Sequence, residues 1–331
     1  MNLLRRLPID RFMLLLIATV ALAALLPASG AAAEVVDNLA SLAVALLFFL
    51  YGAKLAPKAV VDGLLHWRLQ VLVIASTFVL FPLLGLAATA LLGRWLGPGL
   101  SMGLLFLCLL PSTVQSSIAF TSVARGNVPA ALCSASVSNL LGMVLTPALV
   151  ALLLRVGGSG FSSDALKDIG LHLLLPFLLG QAARPLIGGF IGRHKLLTSV
   201  VDRGSILLVI YAAFSEGVVS GIWHQVDLGS LGLLALADVV ILGIVLMATA
   251  FAARRAGFSK ADEIVVVFCG SKKSLASGVP MANILFAGHP VGLLVLPLML
   301  FHQIQLFACA ALAQRYARRG ESPLPAAVPA E

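Results

Sequence analysis

The sequence predicts an all-α polytopic membrane protein of ten transmembrane helices, arranged as two inverted five-helix repeats with crossed, discontinuous helices at the fourth and ninth positions. Three observations predict it. Apolar residues make up 60% of the chain and charged residues only 11%, with a mean hydropathy of +1.05, whereas a soluble domain carries about 25% charge. Apolar runs of about 20 residues, the length that crosses a bilayer, recur from end to end. Two of those runs are interrupted by polar residues at matching places in the two halves of the chain.

Taken in order, the expected spans are 12–29, 38–56, 70–93, 101–123, 128–154, 168–191, 204–222, 228–253, 264–287 and 290–314. The first follows Arg5-Arg6 and ends near Ala28-Ser-Gly-Ala-Ala-Ala33, a pattern that also resembles a cleavable signal peptide. Removing it would leave nine spans, and the charges argue for an even number. With the N-terminus placed in the cytoplasm, the inner stretches hold 17 Lys and Arg and the outer loops hold only Arg94, Arg155 and Lys167. That bias satisfies the positive-inside rule with both termini cytoplasmic. It also accounts for the net charge of +8 without nucleic acid as a partner. The expected setting is the inner membrane, with the lipid bilayer as the surrounding partner.

The second and third spans are continuous apolar runs. The fourth is not. It contains Leu109-Leu-Pro-Ser-Thr-Val-Gln-Ser-Ser-Ile-Ala119, where Pro111 removes a backbone donor and disfavours helix at Leu110. The fifth carries Ser134, Ser138 and Asn139, the two serines on one face. The polar stretch 155–168 then divides the chain five spans and five, giving repeats over 12–155 and 165–316 within one membrane domain, 1–331. An odd number of spans per half makes the halves run in opposite directions. The seventh and eighth spans contain an acid each, Glu216 and Asp238.

The ninth span carries the strongest signal, Cys269-Gly-Ser-Lys-Lys-Ser-Leu-Ala-Ser-Gly-Val-Pro280. An ionised Lys at the centre of a span costs ~2.5–3.5 kcal/mol on insertion scales. Such a pair persists only in a wet or charge-paired interior. Adjacent residues on a helix point about 100° apart, so an unwound crossing is expected to let both lysines turn inward, with Gly270, Gly278 and Pro280 loosening the helix. Interrupted spans at matching positions of inverted halves point to a transporter binding site. The tenth span adds His302, Gln303 and Gln305.

These residues set the candidate site. Substrate contacts are expected from Ser112, Thr113, Gln115, Ser116 and Ser117 on the fourth span and from Ser271, Lys272, Lys273 and Ser274 on the ninth. Coupling groups are expected among Lys273, Lys272, Glu216, Asp238, Thr77 and His302. Each has a plainer reading. Small hydroxyl residues let helices pack closely, the acids can form structural ion pairs, and a lone histidine can simply be hydrogen-bonded in place. Cys108, Cys133, Cys269 and Cys309 all fall within spans and are expected as buried free thiols, with no metal-ligand spacing. No cofactor is expected. The sequence has no glycine-rich phosphate loop, zinc-protease motif or nucleophile elbow, so no enzyme class has a positive signal.

Ala124-Arg-Gly-Asn-Val128 after the broken fourth span, Gly52-Ala-Lys-Leu55 and Thr77-Phe-Val-Leu-Phe-Pro82 resemble segments of the bile acid:sodium symporter family. Phe268-Cys-Gly-Ser-Lys-Lys-Ser-Leu-Ala276 and Phe301-His-Gln-Ile-Gln-Leu306 resemble the branch that contains vertebrate solute carrier family 10 member 7 and its bacterial relatives. The resemblance covers nearly the whole chain. It implies ten helices, a panel domain and a core domain, and fourth and ninth spans that cross at their unwound centres. It also implies two sodium ions held by a Glu on the ninth span and a Gln on the third. Here those places fall near Phe268 and at Thr77, and a Ser-Asn pair on the fourth span appears as Ser116-Ser117. The acidic sodium ligand is missing, so sodium coupling does not carry over, and a lysine ammonium is expected to take sodium's electrostatic role. The expected function is secondary transport of a small organic anion by alternating access, with proton coupling or sodium-free exchange in view and sodium or a proton left open as the coupling partner. A non-transporting membrane regulator on the same fold is the alternative.

Overall fold

The computed structural model describes residues 11–54, 66–154, 175–219, 221 and 226–319. Every regular element among them is helical. Among the described residues, six helical stretches are long and apolar enough to cross a membrane, which makes the chain a multi-pass membrane protein. Arg5, Arg6, Lys58, Arg155, Lys167, the first residues of the expected sixth span and the tail from Gly320 lie outside the described residues.

The helices are α1 (Arg11–Leu25), α2 (Ala31–Lys54), α3 (67–96), α4a (98–109), α4b (Val114–Val123), α5 (Val128–Leu153), α6 (Leu175–Arg193), α7 (Lys195–Val219), α8 (Leu228–Arg255), α9a (Lys260–Gly270), α9b (Leu275–Leu285) and α10 (Val291–Arg319). The helical run 67–109 is 43 residues long, and one residue divides it. Gly97 has φ 74° and is followed by Pro98. An L side chain is strained at that φ, and Pro98 cannot donate back into α3. The chain therefore turns there and starts α4a.

Both expected interruptions, in the fourth and ninth segments, are present. In the fourth, Leu110 (ψ 155°) and Thr113 (ψ 138°) are extended, separating α4a from α4b. In the ninth, residues 271–274 separate α9a from α9b. Gly278 and Pro280 do not loosen this span as expected; both lie inside α9b. Pro280 forgoes the bond to Ala276 C=O without ending the helix, and Gly278 leaves room for Leu110 and Leu298.

Two packing groups result. α2 lies against α6 and α7, and α1 against α7. The rest of the chain packs around α10, with α7 touching α9b and α10. Glycine permits the tightest of these contacts. A Cβ on Gly52 would collide with the backbone of Phe177 in α6, and one on Gly180 with the backbone of Phe49 in α2. The two helices touch main chain to main chain at these points. Apolar packing fills the larger group, with Phe106 and Phe286 edge-on at 5.0 Å and Phe81 against Phe301 at 6.0 Å.

At one end, polar contacts tie the elements together. Glu263, just outside the ninth span, accepts from Lys260 Nζ at 2.8 Å, Arg254 Nη2 at 3.0 Å and Tyr316 Oη at 3.0 Å. Burial pushes its carboxyl upward, but these three donors outweigh burial and hold it below the usual carboxylate value. Asn127 caps α5 through Ala130 N–H and donates to Asp262 at 2.8 Å.

Candidate functional site

The breaks meet. Ser274 N–H donates to the Pro111 carbonyl at 3.0 Å, joining the two interrupted spans at their unwound centres. Unwinding frees backbone groups at membrane depth, and each must find a partner inside the protein. At the end of α9a, Ser271 Oγ donates to Val267 C=O (2.6 Å), Ser117 Oγ to Phe268 C=O (3.1 Å) and Ser76 Oγ to Gly270 C=O (2.7 Å). At the end of α4a, Thr146 Oγ1 donates to Leu109 C=O at 2.8 Å.

The Cys108 carbonyl in the last turn of α4a and the Leu110 carbonyl just past it belong to Lys273. Its ammonium donates to Cys108 C=O at 2.9 Å, Leu110 C=O at 2.7 Å and Thr77 C=O at 2.9 Å, and lies 4.0 Å from the Phe81 ring centroid. Thr77 offers its carbonyl for a local reason. Residues Ser76–Leu80 form a π turn in α3, and Phe81 N–H reaches back to Ser76. The next residue is Pro82, which has no N–H. Thr77 C=O is left without a helical donor, and Lys273 supplies one. All three ammonium hydrogens are thus used, at the negative end of α4a. Thr77 Oγ1 itself bonds back to Val73 C=O at 2.8 Å.

Lys272 is also fully buried, in a different setting. Its ammonium has no hydrogen-bond partner among the described residues and lies 3.9 Å from the Phe120 centroid and 5.4 Å from Phe268, a cation–π arrangement between the two broken spans. Asp238 is buried on α8 with neither carboxyl oxygen hydrogen-bonded among the described residues. Glu216 is exposed on α7.

Beside the crossing lies a cavity of about 360 Å³. Its floor is the start of α4b (Thr113, Gln115, Ser116) and of α9b (Ser274, Ser277). Asn139 of α5 and His302 of α10 line one wall, and Tyr51, Lys54, Phe177 and Arg203 of the α1/α2/α6/α7 group line the other. Two half-helix N-termini therefore end on one space, each with the positive end of its dipole. Thr113 makes no capping bond from its side chain, leaving the first amides of α4b uncapped by it. Ser274 caps Ser277 N–H, and Ser277 Oγ donates to Asn139 Oδ1 at 2.9 Å. Among the described residues, none that lines the cavity is acidic.

Of the residues expected to contact substrate, Thr113, Gln115, Ser116 and Ser274 line this cavity. Ser112, Ser117, Ser271, Lys272 and Lys273 are buried off it. His302 lines it, whereas Thr77, Asp238 and Glu216 do not. The sequence reading missed Lys54 and Arg203, the two cations of the wall, by counting them as loop charges. The signal was available for Lys54, inside the Gly52-Ala-Lys-Leu55 segment.

A family model, the SBF-like CPA transporter family, matches residues 10–318. An uncharacterized protein of Pseudomonas aeruginosa is 59% identical over 311 residues, covering 94% of this chain and 93% of that one. The Escherichia coli (strain K12) protein YfeH, whose name carries the word symporter, is 53% identical over 317 residues, covering 95% and 94%. Sodium/bile acid cotransporter 7 of Rattus norvegicus is 28% identical over 325 residues, covering 94% of each. A family model that spans nearly the whole chain, with relatives aligned end to end and two broken helices joined at their breaks, leads to one assignment: the chain belongs to the SBF-like CPA transporter family.

Proposed function

We propose that the protein is a secondary transporter that moves a small organic anion by alternating access between its two helix groups. One observation carries this reading: the N-termini of α4b and α9b end on one cavity together with Lys54 and Arg203, with no acid among the described residues of the lining. Aligned amide dipoles and two cations favour a negative group, while Tyr51, Leu140, Met143 and Phe177 offer it an apolar body. The substrate contacts are Thr113, Gln115, Ser116 and Ser274 with Lys54 and Arg203. Ser112, Ser117, Ser271 and the lysine pair hold the crossing that positions them.

The chain is a single transport domain of ten crossings in two inverted repeats, 12–155 and 165–316, with both termini in the cytoplasm and the cavity facing inward. Exchanged contacts support the repeat: α1 packs on α7 as α6 packs on α2. The breaks match as well. Ser112 N–H donates to Ser138 Oγ on α5 at 3.1 Å, and Lys273 N–H to Gln305 Oε1 on α10 at 2.9 Å. Each break leans on the following helix by the same backbone donor, two residues before the next half-helix begins. In this reading α1, α2, α6 and α7 are the panel, the other helices are the core, and the Lys273 ammonium stands where a sodium ion would otherwise bridge α3 and α4a.

Thermal-shift screening of purified protein against organic anions, in sodium and in choline buffers, tests the proposal. A stabilising anion should lose its effect in Arg203→Gln and Lys54→Gln, with the ligand-free melting temperature unchanged. It should then be taken up by proteoliposomes. Stabilisation that survives both substitutions would remove the cavity from the mechanism.

A further inference from the structure

The side-chain amide of Gln305 grips one residue of the α9 break by both of its backbone groups. Lys273 N–H donates to Gln305 Oε1 at 2.9 Å, and Gln305 Nε2 donates to Lys273 C=O at 2.9 Å. A backbone donor and acceptor on one residue can be met by only one orientation of an amide, so the positions of Oε1 and Nε2 are determined. The second hydrogen of Nε2 goes to His302 Nδ1, 3.0 Å away. That nitrogen must accept. His302 is therefore the neutral tautomer with its proton on Nε2.

Protonation is incompatible with this arrangement. Imidazolium carries a hydrogen on both nitrogens and accepts nothing, so Nδ1–H would face Nε2–H of Gln305. Turning the Gln305 amide over would satisfy His302 but would set Nε2 against Lys273 N–H and Oε1 against Lys273 C=O, losing both backbone bonds. A proton on His302 and the closed grip on the break exclude one another.

We propose that His302 is a proton-binding site of the cavity, and that Gln305 is the positioning residue through which a proton taken up there releases the α9 break. Its meaning for transport rests on the cavity being the substrate site. Lys273 is the released residue, and its ammonium joins α3 to α4a, so freeing its backbone loosens the crossing that alternating access must rearrange.

The charged and titratable groups around the imidazole set the coupling. Lys54 and Tyr51 of α2 and Arg203 of α7 line the same cavity. Lys272 and Lys273 are buried in the α9 break, Asp238 in α8 and Cys108 in α4a, and Glu216 of α7 is exposed. α4b and α9b, which also border the site, contain no titratable residue. Cations dominate the cavity lining, so an anion seated among them offsets the charge that a proton adds to His302. Proton and anion then promote each other's binding, by the reciprocity of linked sites.

Hydrogen–deuterium exchange of the detergent-purified protein at acid and neutral pH, corrected for intrinsic exchange, tests this without any solute. The Lys273 amide and its neighbours in the break should exchange about tenfold faster in acid, as expected for losing a hydrogen bond that protects them. His302→Gln, whose carbonyl can accept from Gln305, should keep the break protected at both pH values. Gln305→Met should leave it unprotected at both. Equal protection of the wild-type break at the two pH values, or an acid response that persists in His302→Gln, would overturn the proposal. Because no substrate enters the measurement, its failure is separable from failure of the transport reading.

Discussion

The Lys273 ammonium donates to the carbonyl of Thr77 at 2.9 Å across 196 residues of sequence. The contact pairs a cation from the ninth-span break with a carbonyl that the π turn and Pro82 leave without a helical donor. Two more carbonyls, of Cys108 and Leu110, complete the set. The lysine thereby works as a tethered cation that closes the end of α4a and fills the gap at the π turn of α3.

Removing it should damage the fold before it damages transport. Lys273→Met would leave three buried carbonyls without a donor, each costing ~1–3 kcal/mol. The expected loss is about 3–5 kcal/mol, the range for breaking a buried charged interaction, read as a large fall in melting temperature. Lys273→Ala opens space among the same carbonyls, and there sodium, but not choline, should restore part of the stability. The wild-type melting temperature should not distinguish the two salts. A sodium requirement in the wild type, or a Met variant as stable as wild type, would refute the tethered-cation account.

Glu263 should make stability fall in acid. Its folded-state carboxyl lies below the usual value because Arg254, Lys260 and Tyr316 donate to it. The contribution is complete above the unfolded carboxyl value of about 4.3 and is lost as pH drops below that through the lower folded value. Arg254 and Lys260 are about half exposed, so screening limits the effect. Glu263→Gln is expected to cost about 1–2 kcal/mol at neutral pH and to flatten the acid limb of the stability profile. An unchanged acid limb in this variant would assign the acid loss to other carboxyls.

The α2–α6 contact should tolerate no side chain at its centre. Gly180→Leu meets the Phe49 main chain, which cannot move aside as a side chain could. The cost is expected at or beyond the upper end of the ~1–3 kcal/mol typical of overpacking, visible as loss of monodisperse protein. Gly189→Leu, on the same helix with nothing within 4 Å of a Cβ, should be neutral. Equal behaviour of the two variants would count against the close approach.

Both ends of the chain should report the cytoplasm. The 17-to-3 distribution of Lys and Arg predicts that a reporter fused after Arg319 is active on the cytoplasmic side and silent on the periplasmic one. The opposite signal would reverse the cavity's proposed orientation.

The amino-acid sequence by itself determined the membrane class, the all-helical character and the places where two helices break. These properties are local: an apolar run of sufficient length must satisfy its backbone as helix, and Pro111 removes a donor. The resemblance of the broken spans likewise sufficed for the family. Tertiary structure alone decided what the lysines do. Lys272 and Lys273 are neighbours with the same side chain, yet one meets three carbonyls and the other an aromatic ring. That difference comes from residues 152 or more positions away. The cavity was hidden for the same reason. Lys54 and Arg203 read as loop charges until the packing of α2 and α7 brought them opposite the N-termini of α4b and α9b. Helix periodicity and composition act over a few residues, whereas a buried charge is settled by whichever distant groups the packing places within hydrogen-bond reach.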